Sequence, residues 1–394
     1  MIRLNGRVAR RDLNRRPLLE SLEGRELMSL GAESPATVNT RTINDQFDSA
    51  NASSSNGSSV AVWVDTFSPT DHDIRAQRFN AAGNKTGPEI IVSGSLLDDS
   101  QPAVAMDNRG GFVVTWRQRQ SNGDTNVLAR RFNSLGSAVG AVVQVGVGTF
   151  KEHDPSVAMD SRGNFIVAYT RDTNNNNPDV FAKKYNSSNQ LTNVVNVDTD
   201  PNIADHAKVA MTPEGRFDIA YEHAFSPGFN DIILKQFTAS GALSWTREVA
   251  NSQSDETAPS VSMDNSGKAV VVWQNAVGSG SEVRFSRADA SGNLGHELIV
   301  ENALFSESNP SVALKRNGGG TFVVTYERKF RTFPFPSVTR VRVAEVSASD
   351  QVTIVDAGVR SKPAVSINGA GKYLVTYTSN DSSGLNVRNR FGTL

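Results

Sequence analysis

Residues 155–170 read PSVAMDSRGNFIVAYT, and this stretch decides the fold. Two apolar runs, at 156–159 and 165–169, flank a short polar segment that contains a glycine. β-Branched and aromatic residues on both sides of such a turn predict a β-hairpin. Because apolar side chains fall on both faces of each strand, the sequence also predicts that this hairpin is buried.

The same pattern recurs along the chain, with a spacing of 51 to 53 residues between successive copies. Each copy ends its second apolar run on an aromatic residue, and there are seven such anchors. Two further strands follow each hairpin, as in VFAKKY (180–185) and EIIVS (89–93). Four strands in a unit of about 50 residues are typical of a propeller blade. The anchors are Trp63, Trp116, Tyr169, Tyr221, Trp273, Tyr326 and Tyr377.

A marker residue, most often proline, opens each hairpin. Proline is tolerated at the first residue of a strand, where a hydrogen-bond donor is expendable, so the marker predicts the start of the innermost strand. The markers are Ser49, Pro102, Pro155, Ala207, Pro259, Pro310 and Pro363.

The two ends of the chain predict how the ring closes. The seventh copy stops at Leu394, directly after its third strand, whereas residues 36–43 lie where a fourth strand would precede the first copy. Pairing of this segment with the last blade would remove two open sheet edges. We therefore predict an all-β fold, a seven-bladed β-propeller over residues 34–394, with residues 1–33 as a leader that is disordered or forms a short helix.

The composition excludes several classes of protein. The chain has 40 Lys and Arg against 41 Asp and Glu, so the basic excess of a nucleic-acid-binding protein is missing. Without cysteine there is no disulfide framework. The longest weakly polar run, 138–150, is shorter than the roughly 18 apolar residues of a membrane helix. The sequence predicts neither a nucleic-acid partner nor a transmembrane segment, and it does not indicate an oligomeric state.

The repeat wording, PSVAMDSRGNFIVAYT followed by DVFAKKYNSSNQ, resembles a repeat family common in large bacterial surface and secreted proteins. The resemblance covers about residues 45–394. The leader RRPLLESLEGRELMSL (15–30) looks like the LExLExRxLLS sorting element of exported planctomycete proteins, and departs from it at Met28. These resemblances imply an extracellular or cell-surface location. The alternative for the leader is a short amphipathic helix at 17–29.

Acidic residues recur three positions before the marker in four of the seven copies. If they lie in the inter-blade loops, they gather around one face, where carboxylate oxygens can hold a hard cation such as Ca²⁺. The alternative is a hydrated acidic rim. No other cofactor is predicted. The residues are Asp99, Glu152, Glu256 and Glu307.

Three adjacent pairs of histidine and carboxylate side chains occur in the third and fourth copies. They fall at the channel end of neighbouring blades, where they can converge. Imidazole titrates near neutral pH and a carboxylate can orient it, so the group is a candidate for acid-base catalysis or for a metal site. The candidate residues are His153, Asp154, Asp205, His206, Glu222 and His223.

The loop of the sixth copy is longer than its counterparts. From Tyr326 to the third strand at Val341 it takes 15 residues, where the other copies take 10 or 11. Interleaved aromatic and cationic side chains can stack on sugars or contact a protein partner. The alternative is that the phenylalanines pack over a neighbouring blade. The candidate ligand-binding residues are Arg328, Phe330, Arg331, Phe333 and Phe335.

Three functions are compatible with this sequence. The first is a non-enzymatic exported propeller that binds a glycan or a surface protein through its loop face. The second is a polysaccharide hydrolase or lyase that uses the histidine group. The third is a purely structural module of the cell envelope. Propellers host all three, and no substrate-specific motif separates them.

Overall fold

A computed structural model of the chain describes residues 35–173, 177–226, 229–301, 306–330, 336–382 and 384–394. These residues contain strands and turns and no helix. They form seven antiparallel sheets of four strands, and the first strand of each sheet contacts those of its neighbours around a ring. The predicted seven-bladed β-propeller is confirmed. The predicted leader, 1–33, lies outside the described residues.

The strands recur with the spacing of the sequence repeat, four to a blade. The chain begins with β1 (Ala36–Thr37). Blade 1 contains β2 (Gln46–Ser53), β3 (Ser59–Ser68), β4 (Asp71–Phe79) and β5 (Lys85–Ser93). Blade 2 contains β6 (Asp98–Met106), β7 (Phe112–Arg119), β8 (Thr125–Phe132) and β9 (Ala138–Gly146). Blade 3 contains β10 (Glu152–Met159), β11 (Phe165–Arg171), β12 (Asp179–Tyr185) and β13 (Leu191–Asp198).

Blade 4 contains β14 (Ala204–Met211), β15 (Phe217–Ser226), β16 (Phe229–Phe237) and β17 (Leu243–Ala250). Blade 5 contains β18 (Glu256–Met263), β19 (Ala269–Val277), β20 (Gly280–Ala288) and β21 (Leu298–Ile299). Blade 6 contains β22 (Ser306–Leu314), β23 (Phe322–Phe330), β24 (Val338–Val346) and β25 (Val352–Val359). Blade 7 contains β26 (Ser361–Ile367), β27 (Lys372–Asp381) and β28 (Gly384–Thr393).

The hydrophobic core lies between neighbouring blades. One cluster combines Val62 and Ile74 of blade 1 with Val114 and Trp116 of blade 2, and similar clusters follow around the ring. The aromatic anchors are almost fully buried. Apolar residues on both faces of the strands are therefore explained by a blade that packs against a neighbour on each side, as the sequence predicts.

The ring closes as predicted, through the N-terminal strand. In register, Ala36 pairs with Asn389 and Thr37 with Arg388, so β1 is the fourth strand of blade 7. The next residue, Val38, is fully buried in a cluster that includes Trp63 of blade 1. Burying a valine side chain contributes about 1.5 kcal/mol or more, so the closure is held by packing as well as by the sheet ladder.

The marker prolines do not begin the innermost strands. Pro102 is the fifth residue of β6, and the strand ladder shifts register between Ser100 and Ala103. Equivalent shifts occur in the first strand of all seven blades. Proline is accommodated because a bulge leaves a residue outside the ladder. The predicted strand starts are therefore corrected by two to four residues toward the N-terminus.

The residue before each marker has a left-handed backbone conformation. Its φ lies between 48° and 54° in every blade, although six different residue types occupy the seven positions. Non-glycine residues in this region cost about 1 kcal/mol or more each, and such strain clusters at functional sites. The seven residues, named here the mouth ring, are Asp48, Gln101, Asp154, His206, Ala258, Asn309 and Lys362.

Candidate functional site at the channel mouth

The mouth ring and the marker residues that follow it surround a cavity of about 540 Å³ at one end of the central channel. Each blade contributes its bulged first strand, so seven equivalent backbone positions face one opening. Serines 49, 156, 260 and 311 add hydroxyl groups to the same wall. The arrangement places donors, acceptors and both signs of charge around a rigid apolar rim of proline rings.

Contacts between neighbouring blades hold the mouth ring in place. Gln101 donates to Asp154 Oδ1 at 2.5 Å, and the Asp154 backbone N–H donates back to Gln101 Oε1 at 3.1 Å. On the other side of the ring, Lys362 Nζ lies 3.1 Å from Asp48 Oδ1. The Lys362 backbone N–H donates to Glu327 Oε1 at 2.6 Å, which connects the mouth to the end of β23. β23 is the strand that precedes the longer loop of blade 6.

His153 lies between two carboxylates. Its Nδ1 is 2.9 Å from Asp154 Oδ2, and its Nε2 is 3.1 Å from Asp172 Oδ1. Burial opposes the charged imidazolium, but the hydrogen bond to Asp154 and the nearby carboxylates outweigh it and raise the pKa of His153. The positive charge is therefore favoured at this position.

His206 joins the same group from blade 4. Its Nδ1 lies 3.4 Å from Glu222 Oε1 and 3.5 Å from Asp205 Oδ2, and its Nε2 lies 3.6 Å from Asp154 Oδ2. The interaction with Glu222 is the main cause that raises the pKa of His206 to about 9, against the effect of burial. His206 is therefore an imidazolium at neutral pH.

Asp154 is the carboxylate shared by both histidines. Burial alone would raise its pKa, but the hydrogen bond with His153 and the charge of Lys208 lower the pKa to about 2. The carboxylate therefore stays ionised in the pH range where proteins are folded. An ionised acid beside two proton donors is an arrangement that can bind hydroxyl-rich ligands or transfer protons.

The structure brings together five of the six residues proposed for this group. His223 does not join them, because it follows Glu222 in a strand and its side chain projects from the opposite face. It is buried, with Nε2 3.0 Å from Asp200 Oδ2 and 3.8 Å from Asp198 Oδ2. Tyr221 donates to the same Asp198 carboxylate at 2.5 Å.

Two groups of side chains have ligand atoms close enough to hold a metal ion, within the described ranges. The first is His153 with Asp154 and Asp205, and the second is His223 with Asp198 and Asp200. Imidazole with carboxylates suits transition metals or zinc rather than Ca²⁺, which prefers oxygen ligands. Metal binding at either group stays a prediction.

The four acidic residues proposed as Ca²⁺ ligands lie in first strands rather than in loops. All are buried, each within its own blade, so they do not form a hydrated rim. Asp99, for example, accepts from Trp116 Nε1 at 3.1 Å and from Gln118 Nε2 at 3.0 Å. Burial raises the pKa of Asp99 to about 6, and burial likewise raises those of Glu152, Glu256 and Glu307 to about 7.

The blade 6 loop is described only in part. Arg328 binds Glu301 and its guanidinium lies 5.1 Å from the ring centre of Phe330, while that of Arg340 lies 5.6 Å from the same ring. Phe330 is half-buried. The proposed ligand-binding residues Arg331, Phe333 and Phe335 lie outside the described residues.

Sequence reasoning missed most of the mouth ring. Its members at 48, 101, 258, 309 and 362 share no side-chain type, so no motif links them. Their common signal is position, one residue before the marker. A residue immediately before proline is disfavoured in the right-handed helical region. Four of these five positions precede a proline, and this is the sequence signal that could have indicated an unusual backbone there.

No protein-family model and no curated protein matches the sequence. Solved structures match in fold. An ulvan lyase of the polysaccharide lyase family PL25 is 9% identical, with a TM-score of 0.58, covering 90% of this chain and 95% of that chain. A GH93 α-L-arabinofuranosidase of Fusarium graminearum in complex with arabinobiose is 11% identical, with a TM-score of 0.53 and coverage of 91% and 96%.

A fungal alcohol oxidase of the AA5 family in complex with copper is 10% identical, with a TM-score of 0.56, covering 92% of this chain and 76% of that chain. At these identities the likeness defines the class of fold, a β-propeller, and nothing about activity. No helix in the described part of the chain is long and apolar enough to cross a membrane.

Proposed function

We propose that this protein is an exported glycan-binding propeller whose site is the channel mouth. The observation that carries the proposal is the cavity of about 540 Å³, around which the seven mouth-ring residues present carboxylate, amide, imidazole and ammonium groups and one alanine. Glycans offer many hydroxyl groups that both donate and accept hydrogen bonds. Amide, hydroxyl, carboxylate and ammonium groups around one rigid opening match that chemistry.

The ligand extends from the mouth toward blade 6. Glu327 links the mouth to the end of β23, and Phe330 lies three residues further along that strand. The half-buried Phe330 ring can stack against a sugar ring, and the guanidinium groups beside it, from Arg328 and Arg340, are paired with Glu301 and Asp356. Location at the cell surface follows from the resemblance of the repeat and of the leader.

The test is an array of bacterial, algal and plant polysaccharides, probed with the full chain in Ca²⁺ and in chelator. Gln101→Ala is the informative variant, because Ala258 occupies the equivalent position with φ of 52° and shows that the backbone accepts alanine. Gln190→Ala, on an exposed turn, is the matched control. We expect the wild type to bind selected polysaccharides, Gln101→Ala to bind them more weakly, and Gln190→Ala to bind them as the wild type does. If the wild type binds no polysaccharide on the array, the proposal is contradicted.

A second candidate function is cleavage of the bound polysaccharide. The specific observation is the His206 imidazolium 3.6 Å from the ionised Asp154 carboxylate. An imidazolium can protonate the leaving oxygen of a glycosidic bond, and a carboxylate can stabilise developing positive charge or activate water. Release of new reducing or unsaturated ends, lost in His206→Gln and in His153→Gln, would support it. If the polysaccharide binds but no new reducing or unsaturated ends form after long incubation, cleavage of that polysaccharide is contradicted.

A further inference from the structure

The far end of the central channel has a composition that differs from the mouth. The first strands run from the mouth ring inward, and their last residues line a cavity of about 180 Å³. Its wall is made of valine, alanine, methionine and other apolar side chains, with a few serines and one asparagine. Among the described residues that line it, Arg316 is the only charged one.

Arg316 comes from the turn between β22 and β23, which differs from the other turns. In blade 2 the corresponding turn closes with a hydrogen bond from Asp107 N–H to Gly111 O, whereas in blade 6 it runs from Lys315 N–H to Thr321 O, two residues longer. Gly318, Gly319 and Gly320 occupy the extra length, all with positive φ. The equivalent positions of Arg316 in the other blades hold small or uncharged residues: Ser55, Asn108, Ser161, Pro213, Asn265 and Gly369.

In blades 2, 3, 5 and 7 the turn is capped by an Asp or Asn side chain that blade 6 lacks. Asp107 Oδ1 accepts from the backbone N–H groups of Arg109 and Gly111, and Asp160 and Asp264 do the same in their blades. In blade 6 the capping position is occupied by Lys315, so the residue before Arg316 does not supply a carboxylate.

The guanidinium of Arg316 has no counter-ion in the described part of the chain. No carboxylate oxygen lies within 4.0 Å of it there, and Asp264, which lines the adjoining groove, is engaged with the backbone of its own turn. Burial lowers the pKa of Arg316 and no neighbouring acid offsets that effect. Arg316 is half-buried and lines the cavity, so an anion that enters the cavity finds a guanidinium that no carboxylate of the described residues occupies.

We propose that the far end of the channel is a binding site for one small oxyanion, such as sulfate, phosphate or a short carboxylate, held by Arg316. The planar guanidinium donates to two oxygens at once, which suits these ions. Ser262 Oγ, which accepts from Leu314 N–H at 3.0 Å, keeps its own proton to donate into the cavity. A water takes about 30 Å³, so the space admits one such ion with a few waters but no sugar chain.

The experiment is calorimetric titration of sulfate into the full chain, with chloride, which is not an oxyanion, keeping the ionic strength constant. We expect saturable binding at one site. Arg316→Met should abolish it, and Arg316→Lys, which keeps the charge but loses the fork, should weaken it about tenfold or more. Arg109→Met is the matched control, because Arg109 is exposed on the equivalent turn of blade 2.

Melting temperatures keep the test independent of folding defects. Sulfate should raise the melting temperature of the wild type and of Arg109→Met, but not that of Arg316→Met. Without sulfate, Arg316→Met should melt no lower than the wild type, since it removes an unpaired charge. Absence of saturable binding, or equal loss in Arg109→Met, would overturn the site. Glycan binding at the mouth should be unchanged in Arg316→Met, so the two proposals fail separately.

Discussion

The Asp154 carboxylate lies 3.6 Å from Nε2 of His206, across the boundary between blades 3 and 4. Both residues belong to the mouth ring, and each has the left-handed backbone that the bulge imposes. The contact therefore joins two blades at the opening of the channel, and its strength depends on whether the imidazole carries a proton.

The first prediction concerns the titration of His206, whose pKa is raised mainly by Glu222 and further by Asp205 and Asp154. The pKa of His206 rises from 6.5 to about 9 on folding, so its stabilising contribution is complete below pH 6.5 and is lost as the pH rises through about 9. Thermal melts of the wild type and His206→Gln should therefore differ most near pH 6. If the difference between the two melting temperatures is the same at about pH 6 and pH 9.5, the raised pKa is wrong.

The second prediction concerns the buried acids. Burial raises the pKa of Glu152 from 4.5 to about 7, so the folded state binds more protons than the unfolded state between these values. Stability should fall as the pH rises from about 4.5 to about 7. Glu152→Gln should melt higher than the wild type at pH 7.5 and should flatten this dependence. A variant that melts lower at that pH, while Gln190→Ala is unchanged, would contradict it.

The third prediction concerns ring closure. Asn39 is buried, its Nδ2 donates to Gln46 Oε1 at 3.0 Å and to Asn386 Oδ1 at 2.8 Å, and its Oδ1 accepts from Val387 N–H at 3.0 Å. Asn39→Ala should lower the free energy of unfolding by about 2–4 kcal/mol, because it leaves buried polar groups unpaired. Thr40→Ala, at the exposed neighbour, should cost less than about 1 kcal/mol in the same denaturant titration.

The fourth prediction concerns the blade 6 end of the proposed glycan site. Phe330→Ala should weaken polysaccharide binding about three- to tenfold, the range expected for one aromatic contact, with little change in melting temperature. Phe67→Ala is the matched control, because Phe67 is also partly exposed and the Arg41 guanidinium lies 4.0 Å from its ring centre. Equal weakening by both variants would exclude a specific role for Phe330.

The fold was predictable because the repeat imposes the same packing seven times. The anchors such as Trp116 must be buried in every blade, and their spacing alone gives the number of blades. Side-chain direction was harder to predict. Glu222 and His223 are adjacent, yet one faces the mouth and the other the space beside Tyr221, so proximity in sequence did not mean proximity in the site.

The bulge explains the remaining errors. Because Pro102 appeared to begin a strand, Asp99 was placed in a loop, whereas the strand continues through the bulge and buries Asp99 against Trp116. A bulge is set by the register of two strands and leaves no single residue type as a signature. The left-handed backbone of the mouth ring is also produced by the bulge, so the ring was recognised only in the structure.

The mouth ring has an evolutionary consequence. Asp, Gln, His, Ala, Asn and Lys all occupy the same backbone conformation there, so the scaffold tolerates charged, neutral and small side chains at one position per blade. Changes at seven codons can thus alter the chemistry of the channel mouth while the core remains constant. Diversification within such a lineage would proceed by substitution at these codons, much as antibody loops vary on an unchanging framework.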